Sequence, residues 1–323
     1  MPKTRSNWIL RKSPSLPETV YRGRFAPSPT GPLHFGSLIA AVGSYLEAEY
    51  HHGTWLVRME DLDAPRCTVE AADDILRTLE AFGLHWDEEV IYQSQRTAAY
   101  EEALRQLQAI GAVYPCACTR KEIADSALHG IDGQIYPGTC RNGIPAGREG
   151  RAWRVRTDDQ PIEFDDALQG HISQNLEKDI GDFVVKRADG LFAYQLAVVV
   201  DDALQNITHV VRGADLLAST PRQIYLQQLL GFATPAYMHL PIVVNERVEK
   251  LSKQTLAAPV GTRNPSAALW RALSFLRQEP PAELANGDLP ALWQWALANW
   301  RAENLAGVKT LVCLPSVMAD EFT

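Results

Sequence analysis

Between Arg22 and Gly111 the chain alternates strand-like and helix-like segments, and this alternation limits the fold more than any other feature. "YRGRFAPSP" reads as a short strand running into a loop. "GSLIAAVGSYLEAEYHHG" reads as a helix, with Leu38, Val42 and Tyr45 on one face and Gly53 as its stop. Thr54 to Asp61 follows as a strand. A second helix carries Ile75, Leu79 and Phe82 on one side, and a third spans Ala98 to Ile110. Such repeats predict an α/β fold, a parallel sheet with crossover helices.

The rhythm breaks at "VYPCACTR". From 114 to about 190 the chain is richer in turns, glycine and strands. "VVKRADGLFAYQLAVVVDD" predicts a hairpin turning at Asp189-Gly190. The αβ rhythm then returns with the strand "NITHVVRG" and the helix "STPRQIYLQQLLG". That helix is expected to start with Thr220 as N-cap, Pro221 at its first position and Gln223 closing a capping box. The simplest organisation is a nucleotide-binding fold split by an insertion. Residues 1–20 form a tail, 21–113 the first half, 114–190 the insertion, 191–255 the second half and 256–323 a short helical region.

Residues 1–20 are basic and rich in proline and serine, without the apolar stretch of a secretory signal, and read as a disordered tail. No apolar run has the length of a membrane span, about 18 residues. Five cysteines without an export signal point to a reducing cytoplasm. The net charge of −8 argues against a broadly basic nucleic-acid-binding surface and leaves room only for a local basic groove.

The loop "RFAPSPTGPLHFGS", residues 24–37, lies where a parallel sheet binds ligands, outside the carboxyl end of a strand and at a helix N-terminus. Gly31 and Gly36 would let backbone approach a phosphate. His34 could donate to a phosphate oxygen, and Arg24 could clamp a carboxylate bidentately. Spacing alone fits a proline-rich structural turn equally well.

Cys116 and Cys118, followed by Cys140 in "YPGTC", supply three thiolates, one ligand short of a structural zinc site. By general ligand chemistry His129 is the obvious fourth. Three unconnected buried thiols are the alternative. Cys67 and Cys313 read as ordinary residues.

"RFAPSPTG" followed by His34-Phe35-Gly36-Ser37 resembles the first signature of class I aminoacyl-tRNA synthetases of the glutamyl/glutaminyl branch. That family has histidine where Ser37 stands. "KLSKQ", Lys250 to Gln254, resembles the second signature, which usually ends in serine. "VRMEDLD", "FAYQLAVVVDD" and "ITHVVRGADLLAST" are also similar to that branch. The resemblance covers about 21–256 and implies a Rossmann nucleotide-binding domain with a zinc-containing insertion. It places Arg24, Phe25, Ala26, Pro27, Ser28, Glu60, Tyr194 and Arg212 around L-glutamate. It places His34, Gly36, Lys250 and Lys253 at ATP, with His34 and Lys253 catalytic and Mg²⁺ accompanying the triphosphate. It also makes Tyr136, rather than His129, the fourth ligand of one structural Zn²⁺ beside Cys116, Cys118 and Cys140. Without the resemblance, Glu60 reads as a surface salt bridge, Tyr194 as a core residue in a hairpin and Lys253 as a solvated charge.

Fewer than seventy residues follow Gln254. "SAALWRALSFLRQE" and "ALWQWALANWRAENL" predict two helices whose tryptophans belong to a core, and no anticodon-binding domain is expected. This architecture resembles the glutamyl-Q tRNA(Asp) synthetase family. The resemblance implies activation of glutamate by ATP and its transfer to queuosine at the wobble position of tRNA(Asp). L-glutamate, ATP and queuosine-bearing tRNA(Asp) are then the partners of an expected monomer, with no membrane or DNA involved. A short glutamyl-tRNA synthetase and a catalytically idle binding paralogue are the other readings.

Overall fold

The computed structural model describes residues 20–124, 129–130, 133–244 and 259–312. Strand β1 (Arg22–Phe25) leads through the Pro/Gly loop into helix α1 (Phe35–Tyr50). Strand β2 (Thr54–Met59), helix α2 (Val69–Ala81), strand β3 (Ile91–Tyr92) and helix α3 (Thr97–Ala109) follow. β1 pairs parallel with β2, and β2 parallel with β3. Leu38, Val42 and Leu46 of α1 are fully buried against this sheet. Each contributes about 1.5–3 kcal/mol by leaving water. A Cβ on Gly43 would come within 2.5 Å of Leu240 Cδ1, so only glycine lets α1 pack this closely.

The insertion begins with β4 (Val113–Cys116) and the short helix α4 (Arg120–Ala124). A two-residue pair, β5 (His129–Gly130) with β6 (Gly133–Gln134), comes next. β7 (Ala152–Val155) pairs antiparallel with β4. β8 (Pro161–Asp166) and β9 (Gly170–Asn175) form a hairpin, followed by the turn of helix α5 (Leu176–Asp179). β10 (Val184–Lys186) then adds to the other edge of β7.

The expected hairpin at Asp189-Gly190 is half right. The turn exists: Gly190 has φ +90°, and the Arg187 N–H donates to Leu191 O at 2.8 Å. Leu191 to Ala193 then returns antiparallel, with Phe192 bridging Lys186 and the Ala193 N–H donating to Val185 O at 2.9 Å, but from Tyr194 the chain forms helix α6 (Tyr194–Leu204) instead of continuing as strand. Leu196 to Val200 are buried, so the three valines read as strand while packing from several sides selects helix.

β11 (His209–Gly213) lies beside β1, where the Thr208 N–H donates to Arg22 O at 3.0 Å. Helix α7 (Thr220–Leu230) follows, ending at the left-handed Gly231. Its expected cap is absent. Ser219 holds the N-cap position, and the Thr220 hydroxyl accepts from Arg212 instead of a helix amide. The Gln223 side chain bonds Gln195, so no capping box closes.

β12 (Ala236–Leu240) pairs parallel with β11, which brings its carboxyl end to the same side as those of β11 and β1. β13 (Ile242–Val244) pairs with the late strand β14 (Thr310–Val312). Between them stand α8 (Pro265–Phe275) and α9 (Leu289–Asn299). Trp293 donates to Phe82 O at 2.8 Å and Trp300 to the Glu47 carboxylate at 2.6 Å, so both tryptophans belong to the core. No helix among the described residues is long and apolar enough to cross a membrane.

Candidate active site

The carboxyl ends of β1, β2, β11 and β12 open into one cleft of about 970 Å³. Phe25, Leu33, Ile39, Val211 and Leu240 give it an apolar floor shared with the core. Arg24, Phe25, Ala26, Pro27, Ser28, His34, Gly36, Glu60, Tyr194 and Arg212 all line it. Ten positions spread over 189 residues of chain thus meet in one place. Lys250 and Lys253 lie outside the described residues. The chain leaves the cleft wall at Val243-Val244 and returns at Pro259, which bridges to His34; the Val260 N–H donates to Leu33 O at 2.8 Å.

Arg24 does not stand open as a free clamp. Its Nε and Nη2 donate to the two carboxylate oxygens of Asp202 at 3.0 and 3.2 Å. Asp202 also accepts from Arg58 Nη2 at 2.7 Å, and Arg58 Nη1 donates to Gln205 Oε1 at 2.7 Å. All three charged side chains are buried. Burial acts to raise the Asp202 pKa, but Arg24 and Arg58 outweigh it and hold the carboxyl below its ordinary value.

Glu60 sits one residue past the end of β2, which is shorter than expected. Burial pushes its carboxyl up to about 7, against the pull of Arg58 and Arg24. Arg58 Nη2 stands 3.5 Å from its Oε1. A carboxyl poised this way favours ionisation once a further cation arrives.

Tyr194, the first residue of α6, accepts from Arg212 Nη1 at 3.3 Å. Arg212 Nη2 donates to the Thr220 hydroxyl at 2.8 Å and Nε to His239 Nε2 at 3.0 Å. Sequence reasoning missed Asp202, Arg58, His239 and Asp166. Arg58 carried a readable signal, since an arginine inside an apolar strand needs partners.

His34 is the N-cap of α1. Its Nδ1 accepts from the Ser37 N–H at 3.2 Å, so a neutral ring carries its proton on Nε2, which faces Ser37 Oγ at 3.1 Å. The serine that replaces the second signature histidine therefore holds the first one.

In the insertion, the Sγ atoms of Cys116, Cys118 and Cys140 lie within 4.8 Å of one another. The Tyr136 hydroxyl is 3.4 Å from Cys116 Sγ and 3.5 Å from Cys118 Sγ, and Cys118 Sγ is 3.7 Å from Cys140 Sγ. Ligands on a tetrahedral zinc stand about 3.8 Å apart sulfur to sulfur and about 3.5 Å sulfur to oxygen. The four groups fit such an ion. Arg154 lies over the Tyr136 ring at 3.9 Å and donates to Cys116 Sγ at 3.3 Å, which complements the negative charge of the donor set.

The family model of class I tRNA synthetases (E and Q), catalytic domain, matches residues 20–264. A glutamyl-Q tRNA(Asp) synthetase of Dechloromonas aromatica is 60% identical over 298 residues, covering 92% of this chain and 99% of its own. One from Chromobacterium violaceum is 59% identical over 285 residues, covering 88% and 95%. A solved glutamate tRNA ligase from Elizabethkingia meningosepticum superposes with a TM-score of 0.73 at 23% identity, over 90% of this chain and 66% of the longer structure, a likeness of fold. The fold and the matched catalytic domain define a class I tRNA synthetase of the glutamate/glutamine branch, a ligase. Within that branch the chain belongs to the glutamyl-Q tRNA(Asp) synthetase family.

Proposed function

We propose that the chain joins L-glutamate to ATP as glutamyl-adenylate and passes the glutamyl group to queuosine in tRNA(Asp). The observation that carries this reading is the meeting of Arg24, Glu60, Tyr194 and Arg212 in one cleft with His34 and Gly36. Two guanidiniums and one carboxylate complement an amino acid with two carboxylates and one ammonium. Glu60 takes the ammonium. Arg212 and Tyr194, with Arg24 and the Phe25–Ser28 loop, take the carboxylates.

An α-carboxylate oxygen attacks the α-phosphorus of ATP, and the bond to pyrophosphate breaks. No protein nucleophile is needed; the site aligns and neutralises. His34 and the Gly36 backbone hold the phosphates, and Lys250 and Lys253 offset charge on the leaving pyrophosphate. Mg²⁺ bound to the triphosphate supplies charge neutralisation. A hydroxyl of the queuosine cyclopentenediol then attacks the activated carbonyl, and AMP leaves. Cys116, Cys118, Tyr136 and Cys140 hold a structural zinc that ties the start of the insertion to its middle.

Glutamate-dependent exchange of pyrophosphate into ATP, measured without RNA, tests the first step. Exchange with glutamate and little with glutamine is expected. No exchange with glutamate would leave an idle paralogue.

A further inference from the structure

Arg24 and Arg212, which both line the cleft, are held in chemically different ways. Arg24 is gripped by the Asp202 carboxylate, so its charge is already offset. Arg212 forms no ion pair with a carboxylate among the described residues. Its hydrogen-bond partners among the described residues are a tyrosine hydroxyl, a threonine hydroxyl and an imidazole nitrogen. Three of its five N–H groups are used this way, which leaves one on each Nη for a bidentate carboxylate.

The imidazole belongs to His239 on β12, which is fully buried. Its Nδ1 lies 2.5 Å from Asp166 Oδ2. The other Asp166 oxygen accepts backbone N–H groups from Leu168, Gln169 and His239 at 3.1, 2.9 and 3.2 Å. A carboxylate with that many donors stays ionised and takes the Nδ1 proton as a hydrogen bond. Nε2 then carries a lone pair, which is what the Arg212 Nε–H requires. Burial lowers the His239 pKa, and Arg212 adds to this against the pull of Asp166, so the ring stays neutral.

We propose that His239 is a positioning residue for amino-acid selection: fixed by Asp166 as the Nδ1–H tautomer, it aims the Arg212 guanidinium into the cleft without neutralising it. A carboxylate in its place would orient the arginine equally well and cancel the charge that separates a glutamate side chain from its uncharged amide. The inference rests on the glutamate reading above.

Asparagine and glutamine separate the two ends of the imidazole. His239→Asn keeps a donor for Asp166 and loses the acceptor for Arg212. His239→Gln can reach the Nε2 position with its oxygen. In RNA-free pyrophosphate exchange with the full chain, His239→Asn is expected to raise KM for glutamate about tenfold or more. It should narrow the preference for glutamate over glutamine and leave KM for ATP in place. His239→Gln should recover much of both losses. Native values in the asparagine variant, or equal impairment of both variants for glutamate and ATP alike, overturn the proposal.

Nitrogen NMR of the unaltered protein tests it without activity. Nδ1 protonated and Nε2 bare across about pH 6 to 8 is expected, and an Nε2–H tautomer or an imidazolium overturns it. If the native enzyme exchanges nothing with glutamate while His239 shows the expected tautomer, the glutamate reading fails and not the role of His239 in holding Arg212.

Discussion

Asp202 holds Arg24 through both carboxylate oxygens, at 3.0 and 3.2 Å, across a sequence separation of 178 residues. This contact joins the last part of α6 to β1 and locks the floor of the cleft. The same carboxylate takes Arg58 Nη2, so one acid balances two buried cations.

Removing Asp202 leaves both arginines buried and underpaired. Asp202→Ala should lower unfolding stability by about 3–5 kcal/mol, read by denaturant titration. The pKa of Asp202 is depressed in the fold, so its contribution is complete above the unfolded value and is lost as pH falls through the folded one. Acid unfolding of the native protein should therefore steepen below about pH 4, and an Asp202→Asn variant that folds should show a flatter acid limb. Superimposable acid limbs would count against this pairing.

Glu60 works in the opposite sense. Its pKa is raised to about 7 by burial, so any stability tied to its proton is present at low pH and fades as pH rises through about 7. In the proposed reaction Glu60 takes the substrate ammonium, which needs the ionised form. KM for glutamate should therefore fall as pH rises towards about 7 and level off above it, about tenfold per pH unit on the acid side. Glu60→Gln should raise KM and erase that slope. A KM independent of pH in the native enzyme would place the ammonium elsewhere.

The zinc reading predicts about one equivalent of zinc in protein prepared without chelator. Cys140→Ala should lose it and destabilise the insertion. Tyr136→Phe should weaken retention while three thiolates remain, and cobalt substitution should show the altered ligand set. Metal retained in full by Tyr136→Phe would return the fourth position to His129.

Ser37 faces both nitrogens of His34 through its N–H and its hydroxyl. Ser37→Ala keeps the backbone cap and removes the hydroxyl that faces Nε2. KM for ATP should rise a few-fold, about the worth of one neutral hydrogen bond, while KM for glutamate stays put. A change confined to glutamate would separate His34 from the nucleotide.

The parts legible in the sequence are those written locally. The β1 loop with its glycines, the three early helices and the cysteine spacing all show within short windows. The hairpin turn at Asp189-Gly190 is present, but its returning strand stops at Ala193: Val198, Val199 and Val200 favour strand, and only the layers around α6 make them helical. The Thr220 cap failed because Arg212 claims its hydroxyl. Asp202, Asp166 and His239 were invisible because their partners lie far away in sequence and nothing beside them in the chain marks their role.

Labelled glutamate should transfer to tRNA(Asp) from cells that make queuosine, and transfer should persist when the 3′-terminal adenosine is removed. The same tRNA lacking queuosine should accept none. Transfer that ignores queuosine but vanishes with the 3′ adenosine would contradict this account and mark a synthetase that charges the 3′ end.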